Sequence, residues 1–173
     1  MLDKDIAAKL EIAFSQHGFA QPSVAQLKTE CQVSLRTLYK YYPSKDEMIV
    51  AALSFRHERY LDFLSADVSE LGGAAIGQVF DKLEIWMKDY APYGCLSMNA
   101  MAAYPENIMI QKAVKQHKRE VRDFLGKLSA RSDLATPLFI LHEGVASAWP
   151  TLGKVAMASV KQTLISLFKE KAI

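Results

Sequence analysis

Apolar residues recur three or four positions apart along most of the chain, which is the spacing that places side chains on one face of an α-helix. Residues 2–17 show it at Ile6, Leu10 and Phe14, and Gly18 then predicts the end of that helix. The sequence has no convincing β-strand pattern and no internal repeat. The pattern therefore predicts an all-α protein.

Proline and glycine positions divide the rest of the chain into further predicted helices. Pro43 and Ser44 precede a long fourth helix that runs toward Val68, and Gly72 and Gly73 break it. A fifth helix is predicted up to Tyr90, followed by a short apolar piece at residues 95–104 and a long amphipathic helix at 106–129. Two strongly apolar helices are predicted at 132–152 and 155–169. Pro150 is expected to kink or end the first of these two.

Residues 23–47 are predicted to form two short helices across a tight turn, with the fourth helix starting after a proline. The first of the two buries Val24, Leu27 and Cys31, and Ser34 is a good N-cap for the second, which buries Leu38. The remaining positions of that second helix carry side chains that suit bases and phosphates, namely Arg36, Thr37, Tyr39, Lys40 and Tyr41. Such a helix is what a helix-turn-helix lays into the major groove of DNA.

The local charge distribution supports this interpretation better than the overall charge does. The formal net charge is only +2, which by itself does not indicate a nucleic-acid partner. Between Cys31 and Lys45 there is no acidic residue, while Arg36, Lys40 and Lys45 supply positive charge among tyrosines. A solvated basic face is the alternative, and the helix-turn-helix spacing favours a surface that reads DNA.

The same segment resembles the signature of the TetR (tetracycline-repressor) family over about the first third of the chain. The resemblance rests on GF at 18–19, SV at 23–24, the run VS-x-x-TLY-x-YYPSK from Val33 to Lys45, and the carboxylates Asp46 and Glu47. It implies a homodimeric regulator, usually a repressor, whose divergent C-terminal domain binds a small effector. We therefore expect a helix-turn-helix domain at residues 1–45, joined by the fourth helix to a helical effector-binding and dimerisation domain at 46–173.

The resemblance also implies which residues contact a double-stranded DNA operator. Carried over by position, it predicts phosphate contacts from Ser23, Thr37, Tyr39 and Lys45, base contacts from Leu35, Arg36 and Tyr41, and a DNA-facing surface that includes Ser34 and Lys40. The chain departs from the family pattern at Gln32, where glycine is usual, and at Leu35 and Arg36, where Lys-Gly is common. Arg36 adds a guanidinium that can bind guanine in the groove.

Aromatic and methionine residues in the C-terminal part either fill its core or line a cavity for the effector that the resemblance implies. The candidate walls are Trp86, Tyr90, Met98, Met101, Phe139 and Trp149. His142 and Glu143 form a polar pair in the apolar segment PLFILHEGV, where an internal hydrogen bond, a dimer contact and a polar anchor for the ligand are equally compatible with the sequence. The expected effector is small and mostly apolar.

The last two predicted helices are too apolar to remain exposed on a monomer. We expect them to pack against their twofold-related copies as a four-helix interface. Candidate contacts are Leu141, Val145, Ala148, Val160, Leu164 and Phe168.

Other chemistry finds little support. The histidines are scattered without the spacing of a metal site, and no phosphate-loop, dinucleotide or nucleophile-elbow pattern occurs. The sequence therefore predicts no metal, no cofactor and no enzymatic activity. Cys31 and Cys95 lie far apart, which favours buried free thiols over a redox pair. The basic stretch at 115–122 is interpreted as a solvated helix face rather than a second DNA site.

The sequence also lacks an apolar run of membrane-spanning length and a secretory leader, so we expect a cytoplasmic protein with no membrane partner. The leading hypothesis is a DNA-binding repressor that a small apolar effector releases from its operator. Two alternatives remain open at this point: a helical interaction module that keeps the helix-turn-helix fold without specific DNA binding, and a helical enzyme that modifies a small molecule.

Overall fold

The structure, a computed structural model, describes residues 2–68 and 70–169. These residues form nine α-helices and no β-strand, which confirms the predicted all-α fold. In chain order the helices are α1 (Leu2–His17), α2 (Val24–Cys31), α3 (Leu35–Tyr41), α4 (Lys45–Ser65), α5 (Gly73–Asp89), α6 (Leu96–Ala103), α7 (Ile108–Leu128), α8 (Ala135–Leu152) and α9 (Lys154–Lys169), with a single 3-10 turn, Ser132–Leu134, before α8.

The chain divides into two compact units. Unit 1 contains the chain up to Tyr60 together with Leu96–His117, and unit 2 contains Leu61–Cys95 together with the chain from Lys118 onward. Helices α4 and α7 therefore contribute to both units. The predicted domains, residues 1–45 and 46–173, follow the sequence motif instead, and that division stays a prediction.

Unit 1 has a hydrophobic core that fixes the position of α3. Phe14 of α1, Leu27 of α2, Leu38 of α3 and Leu53 of α4 are almost wholly buried in it, together with residues of α6 and the start of α7 such as Ile110. Burying a side chain of this size stabilises the fold by about 1.5–3 kcal/mol. The short helix α3, which has too few residues to be stable alone, is thus held by packing.

Serine side chains define where three of these helices begin, as the sequence predicted. The hydroxyl oxygens of Ser23, Ser34 and Ser44 each accept a hydrogen bond from the backbone amide three residues on, at 3.3, 3.0 and 3.2 Å. Ser23 and Gln26 form a complete capping box at the start of α2. These caps satisfy amide groups that the helix itself leaves without partners.

The turn between α2 and α3 contains a left-handed residue that is not glycine. Gln32 has φ 55° and ψ 40°, a conformation that disfavours an L-residue by about 1–2 kcal/mol. The ammonium group of Lys9, on α1, donates to the backbone oxygen of Cys31 at 3.1 Å and to Oε1 of Gln32 at 3.3 Å. This cross-helix contact and the core beneath it hold the turn without the usual glycine.

In unit 2, α5, α8 and α9 pack against one another. Gly126, near the end of α7, allows a close approach to the start of α8, because a Cβ atom at that position would lie 2.6 Å from the Cβ of Ala135. The main-chain amide of Gly72 donates to the carbonyl oxygen of Leu128 at 2.8 Å. The bond from Gly72 to Leu128 joins the two sequence segments that make up unit 2.

One predicted helix end differs from the structure, and one predicted effect of a proline is corrected by it. Helix α4 stops at Ser65, short of Val68, and Asp67 then has φ 58°. Pro150 lies inside α8, which continues to Leu152 and stops before Gly153 with φ 52°. The structure thus contradicts only the possibility that Pro150 ends the helix, and the helix end at Leu152 agrees with the predicted range of 132–152. None of the described helices combines the length and apolarity needed to cross a bilayer.

Candidate DNA-binding surface and effector-binding unit

The outer face of α3 is the candidate DNA-binding surface. Leu38 points into the core, so the helix presents Leu35, Arg36, Tyr39 and Lys40, all of which are exposed. Leu35 and Tyr39 are 44% and 41% exposed, and their four-residue spacing places them on one side of α3. The face therefore combines two cations with two bulky groups that can contact bases or sugars.

The side chains of the other predicted DNA contacts are hydrogen-bonded or partly buried within the protein. Ser23 and Ser34 are exposed and serve as caps, and the hydroxyl groups of Ser34 and Thr37 are hydrogen-bonded at 2.8 Å. Tyr41 is half-buried against the unit 1 core. Lys45, half-buried, donates from Nζ to the backbone oxygen of Ala20 at 3.1 Å. Their roles at DNA stay predictions.

The hydroxyl of Tyr42 adds a contact that the sequence analysis did not single out. It donates to the backbone oxygen of Asp3 at 2.8 Å and so ties the residue after α3 to the start of α1. Burial, with Asp3 nearby, raises the pKa of this tyrosine above its ordinary value, so the hydroxyl keeps its proton for donation.

A buried ion cluster joins α1 to α4. Glu11 is 4% exposed, and its Oε1 accepts from Nη1 of Arg56 at 2.5 Å and from Nη2 of Arg59 at 2.8 Å. Arg59 also reaches Oε2 at 3.1 Å. Helix α4 begins shortly after α3. This cluster therefore fixes α4 against α1 next to the helix-turn-helix.

The segment that connects α6 to α7 is hydrogen-bonded to the N-terminal part of the chain within unit 1. The hydroxyl of Tyr104 donates to the backbone oxygen of Phe19 at 3.1 Å. Asn107 caps α7 through Oδ1, which accepts from the amide of Ile110 at 3.0 Å, and its Nδ2 donates to Oδ2 of Asp46 at 2.7 Å. The start of α4 is thus bonded to the start of α7 within unit 1.

The candidate effector walls do not all belong to one unit. Met98 and Met101 lie on α6 in unit 1, where Met101 packs against the core cluster and Met98 is 45% exposed. The remaining candidates, Trp86, Tyr90, Phe139, His142, Glu143 and Trp149, lie in unit 2. Their roles in ligand binding stay predictions.

An aromatic cluster in unit 2 brings two of these candidates together. The ring centroids of Trp86 and Tyr90 are 4.8 Å apart, and Phe63 at the end of α4 lies 5.5 Å from Trp86 and 6.1 Å from Tyr90. Trp86 is 4% exposed while Tyr90 is 43% exposed, so the cluster extends from the interior of the unit to its surface. Phe63 was not among the candidates predicted from the sequence, although it lies one residue before the buried Leu64 of α4.

The polar pair in α8 forms an internal hydrogen-bonded network. His142 is buried, stacks on Phe139, and lies with Nδ1 3.0 Å from Oε1 of Glu143. The ammonium group of Lys118 donates to both oxygens of Glu143 at 2.8 and 2.7 Å. Lys118 falls in the basic stretch that was predicted to be a solvated face, yet its side chain is only 18% exposed. That interpretation is wrong at Lys118, because the residue is paired with the half-buried carboxylate of Glu143.

Protonation in this network follows from burial and its charges. Burial opposes the ionisation of Glu143, but the hydrogen bond from His142 and the charge of Lys118 outweigh it and lower the carboxyl pKa to about 2. Burial lowers the pKa of His142. For Lys118, burial is outweighed by Cys95 and Glu143, and its pKa is raised. The half-buried carboxylate of Glu143 is therefore ionised and paired with the ammonium group of Lys118.

Acidification is expected to remove the stability that the ionised Glu143 contributes. Its pKa falls from 4.5 to about 2 on folding, so the contribution is complete above pH 4.5 and is lost as the pH falls toward 2. Glu143→Gln should be less stable than the wild type by roughly 3 kcal/mol near neutral pH and should differ little near pH 2. Denaturant unfolding across this range measures the difference, with the exposed Glu106→Gln as control. A difference that does not change with pH contradicts the assignment.

The two free cysteines are in different settings. Cys31 is wholly buried under the helix-turn-helix, and burial raises its thiol pKa to about 11. Cys95 is half-buried, with its sulfur 3.3 Å from Nζ of Lys118. The expectation of two buried thiols therefore holds for Cys31 and only in part for Cys95.

Two of the predicted dimer contacts are buried inside the protomer. Val145 and Leu164 are 0% and 6% exposed, so their side chains are not available to a second copy, whereas Leu141, Ala148, Val160 and Phe168 are half-buried. Leu164 and Phe168 also line an open groove of about 440 Å³ between α5 and α9. The apolar side chains that α8 and α9 do expose are Ile140, Leu152, Val155 and Ile165, at 54–68%.

Within the described residues, no group of three or more histidine, cysteine or carboxylate side chains is placed to hold a metal ion.

Comparison with known proteins identifies the N-terminal segment and the fold. Residues 5–52 match the family model of bacterial regulatory proteins, tetR family. No curated protein sequence gives a significant match. The matched segment contains α1, α2, α3 and the first part of α4, and so includes the whole candidate DNA-binding surface.

Solved structures with the same fold cover nearly the whole chain. SCO4454, a TetR-family transcriptional regulator from Streptomyces coelicolor, aligns over 95% of both chains with 19% identity and a TM-score of 0.81. A TetR transcription regulator from Haloarcula marismortui aligns over 97% of this chain and 96% of its own, with 18% identity and a TM-score of 0.78. Reduced NemR from E. coli aligns over 93% and 96%, with 19% identity and a TM-score of 0.72. At these identities the likeness shows the fold.

Proposed function

We propose that the chain is a ligand-responsive DNA-binding repressor of the TetR family, because its residues 5–52 match the model of that family and its all-helical fold is that of solved TetR-family regulators. A dimer of the chain would bind an operator through α3 of each protomer, and a small effector bound in unit 2 would release it. The observation that carries the proposal is the exposed outer face of α3, with Arg36 and Lys40 beside Leu35 and Tyr39.

Dimerisation is part of this proposal because an operator with two half-sites is bound by one recognition helix from each of two protomers. Two recognition helices read neighbouring half-sites when they lie about 34–36 Å apart, one turn of DNA. The exposed apolar side chains of α8 and α9, such as Ile140 and Ile165, supply a surface that a second copy can cover. We therefore place the twofold contact on that exposed face, with the half-buried Leu141, Ala148 and Val160 at its base.

Effector release requires that the ligand favour one arrangement of the dimer over another. Helix α4 contributes to unit 1 and to unit 2 as one continuous helix, so a ligand that shifts its unit 2 end can change the spacing of the recognition helices. The aromatic cluster of Phe63, Trp86 and Tyr90 includes the α4 residue Phe63. That cluster is the part of unit 2 where we place the effector.

Electrophoretic mobility shift with the DNA upstream of the protein's own gene tests the proposal directly. A shift that competitor DNA of random sequence does not remove supports an operator-binding regulator. No specific shift at any upstream fragment would leave the helical interaction module as the better description. An enzyme that modifies a small molecule would likewise show no such shift.

Arg36→Ala and Lys45→Ala are expected to weaken DNA binding in different ways. Arg36 should contact a base, so its loss should relax specificity at one base pair by about 1–3 kcal/mol. Lys45 should contact a phosphate, so its loss should weaken binding to all sequences and reduce the salt dependence by about one unit. Fluorescence anisotropy with operator and random DNA across a salt series measures both. Equal losses on specific and random DNA for both variants would contradict the assignment.

A further inference from the structure

One charged group in unit 2 has no hydrogen-bond partner in the part of the chain that the structure describes. The ammonium nitrogen of Lys82, on α5, has less than 1 Å² of accessible surface and no hydrogen-bond partner among the residues that the structure describes. A buried cation without a counter-charge is costly, so such a group is rare unless something else binds it.

The carboxylates nearest to Lys82 along α5 are engaged elsewhere. Asp81 and Glu84 both bind the ammonium group of Lys161, from α9, at 2.8 Å. Lys118, another half-buried lysine of unit 2, has Glu143 as its partner. Lys82 therefore differs from both, since each of those cations is matched by a carboxylate of the chain.

The position of Lys82 on α5 connects it to the aromatic cluster. Lys82, Trp86 and Tyr90 follow one another at four-residue spacing, which places them along one side of the helix. Along this row the side chains change from the buried ammonium of Lys82, through the buried indole of Trp86, to the exposed phenol of Tyr90. Phe63 packs over the two aromatic rings.

We propose that the effector is an amphipathic carboxylate whose anionic group binds Lys82 and whose apolar body lies along Trp86 and Tyr90. This assignment rests on the proposed function and names the ligand class for it. It also changes the expected polar anchor, because Glu143 already has His142 and Lys118 as partners whereas Lys82 has none among the described residues. A hydrogen-bonded ion pair in a site closed to water is the strong kind of polar contact.

Matched carboxylate and alcohol probes test the charge preference without DNA. Isothermal titration calorimetry compares naphthoate with naphthylmethanol, and decanoate with decanol. The wild type should bind at least one carboxylate roughly ten- to a hundredfold more tightly than its alcohol. Lys82→Met should lose that preference, while Lys88→Met, an exposed lysine on the same helix, should keep it. Equal binding of the paired probes, or no saturable binding of either carboxylate, overturns the proposal.

Thermal unfolding of the same variants gives a second readout that needs no ligand. If Lys82 is a buried cation without a partner, Lys82→Met should raise the melting temperature by about 2–4 °C or more, because methionine keeps the apolar stem and removes the charge. A lower melting temperature would show that the chain itself binds the ammonium group, and would overturn the assignment. Carboxylate binding through Lys82 that leaves operator binding unchanged would keep the anion site and refute the effector role.

Discussion

Ile140→Glu is expected to convert the proposed dimer to a monomer and to weaken operator binding by at least about a hundredfold. Ile140 is 62% exposed on α8, and Gly144, Ser147 and Thr151 follow it as exposed residues on the same helix face. A carboxylate in the centre of such an uncharged face would be buried without a partner on dimerisation. The loss in DNA binding follows because the two half-sites would no longer be bound by one linked particle.

Ile85→Glu is the matched control, since Ile85 is 48% exposed on α5 and the substitution is chemically the same. This variant should remain a dimer and bind the operator as the wild type does. Light scattering at micromolar concentration gives the oligomeric state, and mobility shift gives the affinity. If Ile140→Glu remains a dimer with normal affinity, the exposed face of α8 is not the interface.

The residues for this test could not be chosen from the sequence, because α8 is apolar on nearly all sides. Periodicity identifies a buried face only where polar residues mark the opposite one. In α8 the buried Val145 and the exposed Ile140 are both β-branched aliphatic residues, so residue type does not distinguish the two sides of the helix. The sequence therefore predicted that α8 would be buried on most sides. It could not distinguish the side that packs inside the protomer from the side that stays exposed on it.

The helix-turn-helix was predictable because its determinants are local. The serine caps at Ser23, Ser34 and Ser44 act on amides three residues away, and the buried Leu27 and Leu38 fall at regular helical spacing. Each of these features can be recognised within a few residues of sequence.

Contacts between distant parts of the chain were not predictable in the same way. Met101 was grouped with Trp86 by residue type, but α6 folds into unit 1 while Trp86 lies in unit 2. Lys118 was predicted to be a solvated cation, but in the structure it binds Glu143, which lies 25 positions away in the sequence. Residue type and spacing along one helix do not reveal such pairings, because they depend on which helices pack together.

Glu11 is a charged residue whose spacing could have indicated burial. It lies four positions after Ala7 and three before Phe14, and both of these are buried in α1. A carboxylate on the buried face of a helix predicts a cationic partner, because a buried charge is otherwise too costly. The partners, Arg56 and Arg59, lie on α4 and more than forty positions away.

Glu11→Ala is therefore expected to destabilise the fold by about 3–5 kcal/mol. The substitution removes the carboxylate that Arg56 and Arg59 share, and Arg56, at 8% exposure, has little access to water to replace it. The destabilisation comes from leaving buried positive charge without a counter-charge. It would occur even if the ion cluster stabilises the fold no more than apolar side chains of the same size would. DNA binding should fall with stability, because α1 and α4 flank the two helices of the DNA-binding motif.

Glu58→Ala is the control, because the pair that Lys4 forms with Glu58 joins the same two helices at 3.3 Å but is exposed, at 70% and 63% of the two side chains. Its loss should change the free energy of unfolding by less than about 1 kcal/mol. Denaturant titration of both variants gives the comparison. A Glu11→Ala variant no less stable than Glu58→Ala would mean that water or other groups solvate the two arginines as well as Glu11 does, and the cluster would then not fix α1 against α4.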